Sequence, residues 1–151
     1  MCEQGGVQFM TETECAYLAG IIEGEGCIRI DHVAPAAGKP KSGWRPVVHV
    51  TQKGRMLIDG LNLIFPGQII TSHSQKHKGQ YRIAWSWGKA YEVLEKILPY
   101  MKGPKKQQAE IVLRFHDHIL QYGGAGHLKP EELEWRLIQL KILSYLKKEC
   151  I

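Results

Sequence analysis

No lysine or arginine occurs in the first 28 residues of this 151-residue chain. A secretory signal peptide combines a basic cluster with an apolar run, and this N-terminal region has neither. We therefore expect an intracellular protein, in a bacterial or archaeal cytoplasm or in an organelle. Apolar runs are also too short and too interrupted for a membrane span, which needs about 20 residues. No membrane partner is expected.

Cysteine is scarce as well. The chain has four, without a CxxC pair or a histidine at zinc-finger spacing, which argues against a structural zinc site. We expect free thiols in a reducing compartment, with Cys27 pointing into the core. Among the seven histidines, His116 and His118 are too close in sequence to be metal ligands on one helical face, and we expect structural roles for them.

The missing N-terminal cations contrast with an excess farther along the chain. Residues 1–28 include five acidic residues and no basic one. Residues 29–82 include nine basic and two acidic residues, and residues 83–130 include seven basic and four acidic residues. The formal net charge of +5 is thus concentrated in the middle of the chain. A basic segment of this kind predicts a nucleic-acid surface, although charge alone is explained equally well by a solvated lysine-rich surface.

Hydrophobic periodicity and turn signals predict five helices and four strands. Helices are expected at residues 12–24, 54–65, 88–101, 105–121 and 130–149, with Thr11 or Thr13 as the first N-cap, and strands at 27–33, 44–52, 68–75 and 80–87. This order predicts an α+β fold with one mixed sheet and helices on one face. We expect a single domain over residues 1–151, with a core at about 12–121 and a C-terminal helical extension at about 130–149.

The first predicted helix is the most informative segment, because it ends in Glu23 and Glu25, each followed by glycine. Ala16, Gly20 and Gly24 are four apart, so they share a helical face on which a second helix can approach closely. Carboxylates at the tips of such a helix pair would repel each other unless a cation lay between them, which indicates a divalent metal. A glycine-rich helix end is also common as a C-cap, and spacing alone favours that simpler interpretation.

The face of the strands opposite the core is polar and rich in hydrogen-bond donors. It is predicted to carry Arg29, Asp31, Arg45, His49, His73, Gln75, Gln80 and Arg82. A β-ribbon can enter the major groove of DNA, where such side chains can bind base edges. The alternative is a merely solvated sheet face.

Residues 18–26, which read LAGIIEGEG, resemble the signature of the LAGLIDADG homing endonucleases, with glutamate at both acidic positions where the family motif has aspartate. Residues 50–53 and 105–110 are similar to two further blocks of that family. The resemblance covers about residues 12–121 and implies an αββαββα core with an antiparallel-type sheet saddle. It also implies a site-specific endonuclease that makes a metal-dependent double-strand cut in a long, pseudo-palindromic DNA site. Because a single motif is present, a homodimer is implied.

The resemblance also implies roles for individual residues. Glu25 would bind Mg²⁺, or another divalent cation such as Mn²⁺, together with the backbone carbonyl of Gly24. Gln52 would position water in the active site. Lys105 would lie near the scissile phosphate, with Lys106 as the alternative if the register slips by one.

Two sets of residues complete the expected interfaces. Phosphate contacts are expected from Lys39, Lys41, Lys76 and Lys78. The dimer interface is expected at Ala16, Ala19, Gly20, Glu23 and Gly24. Two alternatives remain open: a non-catalytic binder on the same scaffold, either a maturase of its own intron RNA or a transcriptional regulator, and an ordinary α+β protein-interaction domain.

Overall fold

A computed structural model describes residues 9–33, 43–72, 76, 78–122 and 128–149 of the chain. The elements are α1 (Glu12–Glu25), β1 (Gly26–Val33), β2 (Gly43–Lys53), α2 (Met56–Ile64), β3 (Gln68–Thr71), β4 (Gln80–Ser86), α3 (Gly88–Ile97), a 3₁₀ turn (Leu98–Tyr100), α4 (Lys105–Tyr122) and α5 (Pro130–Glu149). The predicted order of elements is confirmed. Helix α3 ends earlier than predicted and continues as the 3₁₀ turn that contains Pro99, a residue that lacks the backbone donor a continuing α-helix requires.

Helix α1 begins with a complete capping box. The hydroxyl of Thr11 accepts a hydrogen bond of 3.1 Å from the backbone N–H of Glu14, and the Glu14 carboxylate accepts one of 3.0 Å from the N–H of Thr11. Both contacts satisfy donors that a helix start leaves unpaired. At its other end α1 passes directly into β1 through Gly26, where a Cβ atom would lie 2.7 Å from the carbonyl oxygen of Ile22. Only glycine permits this close approach.

The four strands form one sheet in the order β1-β2-β4-β3, and all three pairings are antiparallel. The expected antiparallel-type sheet is confirmed. The expectation of a mixed sheet is wrong, because β1–β2, β2–β4 and β3–β4 are all antiparallel pairs. One face of the sheet packs on the helices. Its fully buried residues are Ile28, Val48, Val50, Ile83 and Trp85, and α1, α3 and α4 cover them.

Strand alternation decides which face each residue occupies, and it corrects one expectation. Cys27 precedes the buried Ile28 and pairs with His49 across the strands. It therefore lies on the outer face and is partly exposed, so the expectation that it points into the core is wrong. Cys15 and Cys27 are free thiols, as expected; Cys2 and Cys150 lie outside the described residues.

The C-terminal helix α5 packs on α4 through a buried ionic cluster. Glu132 accepts a hydrogen bond of 2.8 Å from Nε of Arg136, and it contacts Nε2 of His118 at 2.9 Å. Burial by itself would raise the pKa of Glu132, but the contacts with His118 and Arg136 outweigh it and hold that pKa below its ordinary value. The ring of His118 also stacks on that of Trp135, with 3.8 Å between the ring centroids. Its contacts are structural, as expected.

His116 has a structural contact too, since its ring stacks on Tyr91 at 3.7 Å. Within the part of the chain that the structure describes, no helix is both long enough and apolar enough to cross a membrane.

We expect the replacement of Arg136 by methionine to destabilise the fold strongly. The change leaves the buried carboxylate of Glu132 without its guanidinium partner, and removing one partner of a buried ion pair costs about 3–5 kcal/mol. Urea unfolding would measure the loss. The matched control is Arg55→Met, which breaks the exposed Arg55–Asp59 pair and should cost less than about 1 kcal/mol. Similar losses in both variants would contradict a stabilising role for the buried cluster.

Candidate active site and nucleic-acid interface

The end of α1 meets the start of α4 through the side chain of Lys105. Its ammonium group donates hydrogen bonds of 2.6 Å to the carbonyl oxygen of Gly26 and 3.1 Å to that of Ile22. A cation is favourable here, because the last carbonyl groups of a helix carry partial negative charge. An ammonium group has three donor hydrogens, so these two contacts leave a third for a ligand.

Glu23 strengthens the same junction from the other direction. Its carboxylate accepts a hydrogen bond of 2.9 Å from the backbone N–H of Lys102 and another from the N–H of Gly103. A Cβ atom at Gly103 would lie 3.1 Å from Glu23 Oε1, so glycine allows the chain to come this close. The carboxylate of Glu23 is thus engaged by the segment that precedes α4, while the residue stays partly exposed and its place in the dimer interface stays a prediction.

Glu25 and Gln52 lie at the same end of the sheet. Glu25 is the exposed last residue of α1, next to the Gly26 carbonyl that Lys105 contacts. Gly26 pairs with Val50 across β1 and β2, and Gln52 follows two residues later on β2, paired with Tyr81 of β4. The fold therefore places Lys105 beside the end of α1 that carries Glu25, with Gln52 at the same end of the sheet.

One strip of α1 faces away from the rest of the chain. Its exposed members are Ala16, Tyr17, Gly20 and Gly24. A Cβ atom at Gly20 or Gly24 would meet nothing within 4 Å. Ala19 lies on the opposite side of the helix, with Leu18 and Ile22, and has 0% exposure. The expectation that Ala19 contacts a second chain is therefore wrong, because the residue is enclosed in the core of its own chain.

The outer face of the sheet carries the predicted polar side chains. Those that cross-strand register and alternation place there are Arg29, Asp31, Arg45, His49, Gln80 and Arg82. Lys76 and Lys78 are exposed between β3 and β4. The other expected contacts, Lys39, Lys41, His73 and Gln75, lie outside the described residues.

Asp31 joins two arginine residues on this face. Its Oδ1 accepts from Nε of Arg29 at 2.9 Å, and its Oδ2 accepts from Nη2 of Arg45 at 3.0 Å. Partial burial would raise the pKa of Asp31, but the two guanidinium groups outweigh it and hold that pKa below its ordinary value. The carboxylate is therefore ionised at neutral pH and fixes both arginine side chains.

His49, at the middle of the face, is surrounded by cations. Burial, followed by the charges of Arg82, Arg29 and Lys147, lowers the pKa of its ring to about 4. Its buried Nδ1 has no hydrogen-bond partner within the described ranges. The ring is therefore a neutral group at physiological pH.

The sequence did not indicate that Lys147 acts here. It belongs to the last turn of α5, a segment whose charges balance, and only the packing of α5 beside β1 brings it near His49.

A shallow hollow of about 250 Å³ opens on the same face near the end of β2. It is lined by Thr51, Ile70, Ser72, Gln80, Tyr81 and Arg82. The hydroxyl of Thr51 accepts a hydrogen bond of 3.1 Å from Nε of Arg82 and so fixes the direction of that guanidinium group. Sequence reasoning missed this role of Thr51, although alternation with His49 on β2 places it on the outer face.

The low pKa of His49 predicts a pH dependence of stability. In the unfolded chain His49 takes up a proton near its ordinary pKa of 6.5, whereas the folded protein resists protonation until the pH is about 4. Because the unfolded state binds more protons between these values, stability is lost as the pH falls through this window. We expect His49→Gln to lose less stability over the same window in urea unfolding. Coincident pH profiles for the two proteins would contradict this assignment.

Comparison with known proteins shows which solved structures share this fold. No protein-family model matches the sequence, and no curated protein does either. Among solved structures, the homing endonuclease I-CvuI in complex with the I-CreI target, with Mg present and the DNA not cleaved, has a TM-score of 0.72 and 22% identity, covering 89% of this chain and 82% of that chain. The archaeal intron-encoded homing endonuclease I-Vdi141I, complexed with DNA, has a TM-score of 0.69 and 20% identity, covering 89% and 84%. The I-LtrWI LAGLIDADG homing endonuclease, bound to target DNA, has a TM-score of 0.59 and 18% identity, covering 92% and 46%.

Proposed function

We propose that this chain, whose fold is that of the LAGLIDADG homing endonucleases, is a site-specific, metal-dependent DNA endonuclease that acts as a homodimer. The observation that carries the proposal is the junction of α1 and α4. Lys105 binds the Gly26 carbonyl there, beside the exposed carboxylate of Glu25 and at one end of the polar sheet face. A lysine that can stabilise developing negative charge, next to an accessible acid that can hold a metal ion, suits phosphodiester hydrolysis.

Double-stranded DNA is the proposed partner of the outer sheet face. The arginine, histidine and glutamine side chains of this face are the types that hydrogen-bond base edges in the major groove. Lys76 and Lys78 extend the face and would contact phosphates, so affinity should fall steeply as salt concentration rises. Lys39, Lys41, His73 and Gln75 remain proposed contacts on the basis of the sequence.

The oxygen ligands at the end of α1 fit a hard divalent cation. The exposed Glu25 carboxylate and the Gly24 carbonyl are the types of ligand that Mg²⁺ prefers, and Mn²⁺ accepts them too. Such an ion would neutralise charge on the scissile phosphate and acidify a water molecule. Glu25 would hold it, with phosphate oxygens, water and a second copy of the chain supplying the remaining ligands.

The other two residues act directly on the reacting groups. Lys105 would use its remaining donor hydrogen to stabilise negative charge that develops on the phosphate in the transition state. Its contacts with α1 favour this register over Lys106. Gln52 cannot act as a base at neutral pH, and its amide would position the attacking water by hydrogen bonding.

We expect Glu25→Gln to bind DNA but not cut it. The amide preserves the size of the side chain but lacks the charge that holds a cation, so the cleavage rate should fall at least about a hundredfold. Plasmid cleavage with Mg²⁺ and gel-shift binding, both on the joined sequence that flanks the reading frame, would separate the two steps. Glu12→Gln, an exposed acid in the first turn of α1, is the matched control and should cut normally.

Two results would contradict this mechanism. Retained cleavage by Glu25→Gln would remove Glu25 from it. DNA binding without any cleavage by the unmodified protein would favour the non-catalytic alternative, a maturase or regulator, and splicing of its own intron transcript would then identify a maturase.

The proposed dimer interface is the exposed strip of Ala16, Gly20 and Gly24 on α1. Glycine and alanine leave the helix backbone accessible, so a second α1 can approach closely. Pairing through this strip would bring the ends of two α1 helices, and hence two Glu25 side chains, near each other. A two-fold dimer would also read the two halves of a palindromic site with identical surfaces.

We expect Gly20→Leu to convert the dimer into a folded monomer. The added side chain meets nothing in its own chain, and an exposed helical glycine costs about 0.5–1 kcal/mol of stability relative to alanine, so the monomer should not be destabilised. Sedimentation equilibrium would measure the change in mass. The matched control, Gly60→Leu on α2, also places its Cβ in open space and should remain dimeric. An unchanged mass for Gly20→Leu would contradict the assigned interface.

A further inference from the structure

We propose that Asp31 determines sequence specificity by fixing Arg29 and Arg45 so that they read a G·C pair in the major groove. This inference rests on the proposed function, because it assigns a base preference to the DNA-facing sheet. Asp31 acts here through the arginines as a positioning residue, and it also offers an acceptor of its own to the same base pair.

The geometry leaves suitable donors on the arginines. Asp31 engages Arg29 through Nε, at 2.9 Å, so the two terminal nitrogens of that guanidinium group are not used in the ion pair. Arg45 is engaged through Nη2, at 3.0 Å. The side chains of Arg29, Arg45 and Asp31 are 29%, 42% and 27% exposed, so the cluster is anchored in the sheet and still accessible to a ligand.

The presence of the carboxylate distinguishes a base from a phosphate as the ligand. An acid on a DNA-facing surface repels phosphate, and in this cluster it reduces two positive charges to a net charge of one. The edge of a nucleobase carries no net charge, so binding to it depends on the direction of the hydrogen-bond donors and acceptors instead. Two exposed lysines between β3 and β4, Lys76 and Lys78, form no ion pair with an acid among the described residues and suit phosphate contacts better.

A G·C pair matches this cluster along its whole major-groove edge. Guanine presents two adjacent acceptors, N7 and O6, which a guanidinium fork can bind at once, and cytosine presents an amino group that donates. The fork of Arg29 would bind guanine, and a carboxylate oxygen of Asp31 would accept from cytosine. A lysine without a neighbouring acid supplies neither the fork nor the acceptor.

The neighbouring His49 does not disturb this arrangement. Its ring is neutral at physiological pH, because burial and the surrounding cations lower its pKa to about 4. His49 therefore adds no positive charge that could compete with the two arginines for Asp31. The carboxylate remains ionised, since its pKa is held below the ordinary value by the same arginines.

The experiment selects preferred sites from a randomised duplex library with the full-length protein and then repeats the selection with Asp31→Asn. The unmodified protein should enrich a G·C pair at one position in each half-site. In Asp31→Asn, which loosens the arginines and removes the acceptor, the preference at that position should fall at least about tenfold. Affinity for a duplex of unrelated sequence should hold or rise, because a charge that repels phosphate is lost.

Two further variants separate positioning from structure. Asp117→Asn removes an exposed acid on α4, makes the same change in net charge away from the sheet, and should keep the G·C preference. Arg29→Lys keeps the charge but loses the fork, and should lose the preference while retaining binding to unrelated DNA. A purely structural role for Asp31 would instead weaken binding to every sequence together, and that result would overturn the inference.

The outcomes also separate this inference from the proposed function. If the unmodified protein enriches no sequence at all, the DNA-binding function and the inference are both wrong. If it enriches a site and Asp31→Asn shows the same G·C preference, only the inference is wrong.

Discussion

The ammonium group of Lys105, bound to carbonyl oxygens at the end of α1, is the contact on which the candidate site depends. Helix α1 passes into β1 without a loop, so a cation placed at this point fixes a helix, a strand and the start of α4 at once. Glu23 secures the same junction by accepting hydrogen bonds from the chain just before α4. The exposed carboxylate of Glu25 is therefore held by rigid elements, as its proposed catalytic role requires.

The distribution of charge follows from the two tasks of the proposed function. Metal binding requires an accessible acidic residue, and DNA binding requires basic residues. The acidic and basic residues must therefore be adjacent without neutralising each other. The fold achieves this by placing Glu25 at the end of α1 and the arginines on the outer face of the sheet. Asp31 is the exception, since it lies among those arginines. An acid in such a position restricts what the surface can bind, and it favours base edges over phosphates.

Much of the fold could be predicted, because each element has its own local signal. The capping box fixes the start of α1, alternation identifies β1 and β2, and glycine and proline separate the remaining elements. Two residues were assigned to the wrong face of their strand or helix, because their residue type is compatible with either face. Cys27 is apolar enough for the core, but the phase set by Ile28 turns it outward. Ala19 is small enough for an interface, but it lies on the core side of α1.

The sequence by itself determined the type and order of the elements and the strip of small residues on α1, and its resemblance to a known family indicated the candidate acid, amide and lysine. Tertiary structure alone decided which of these meet. Lys105 is 83 residues from Ile22 along the chain, and Lys147 reaches the surroundings of His49 only through the packing of α5. The periodicity of apolar residues along an element shows which of its sides is buried, because the polarity of each residue reflects the burial of that residue alone. Contacts between distant charged groups depend on how whole elements pack, and no local pattern records that.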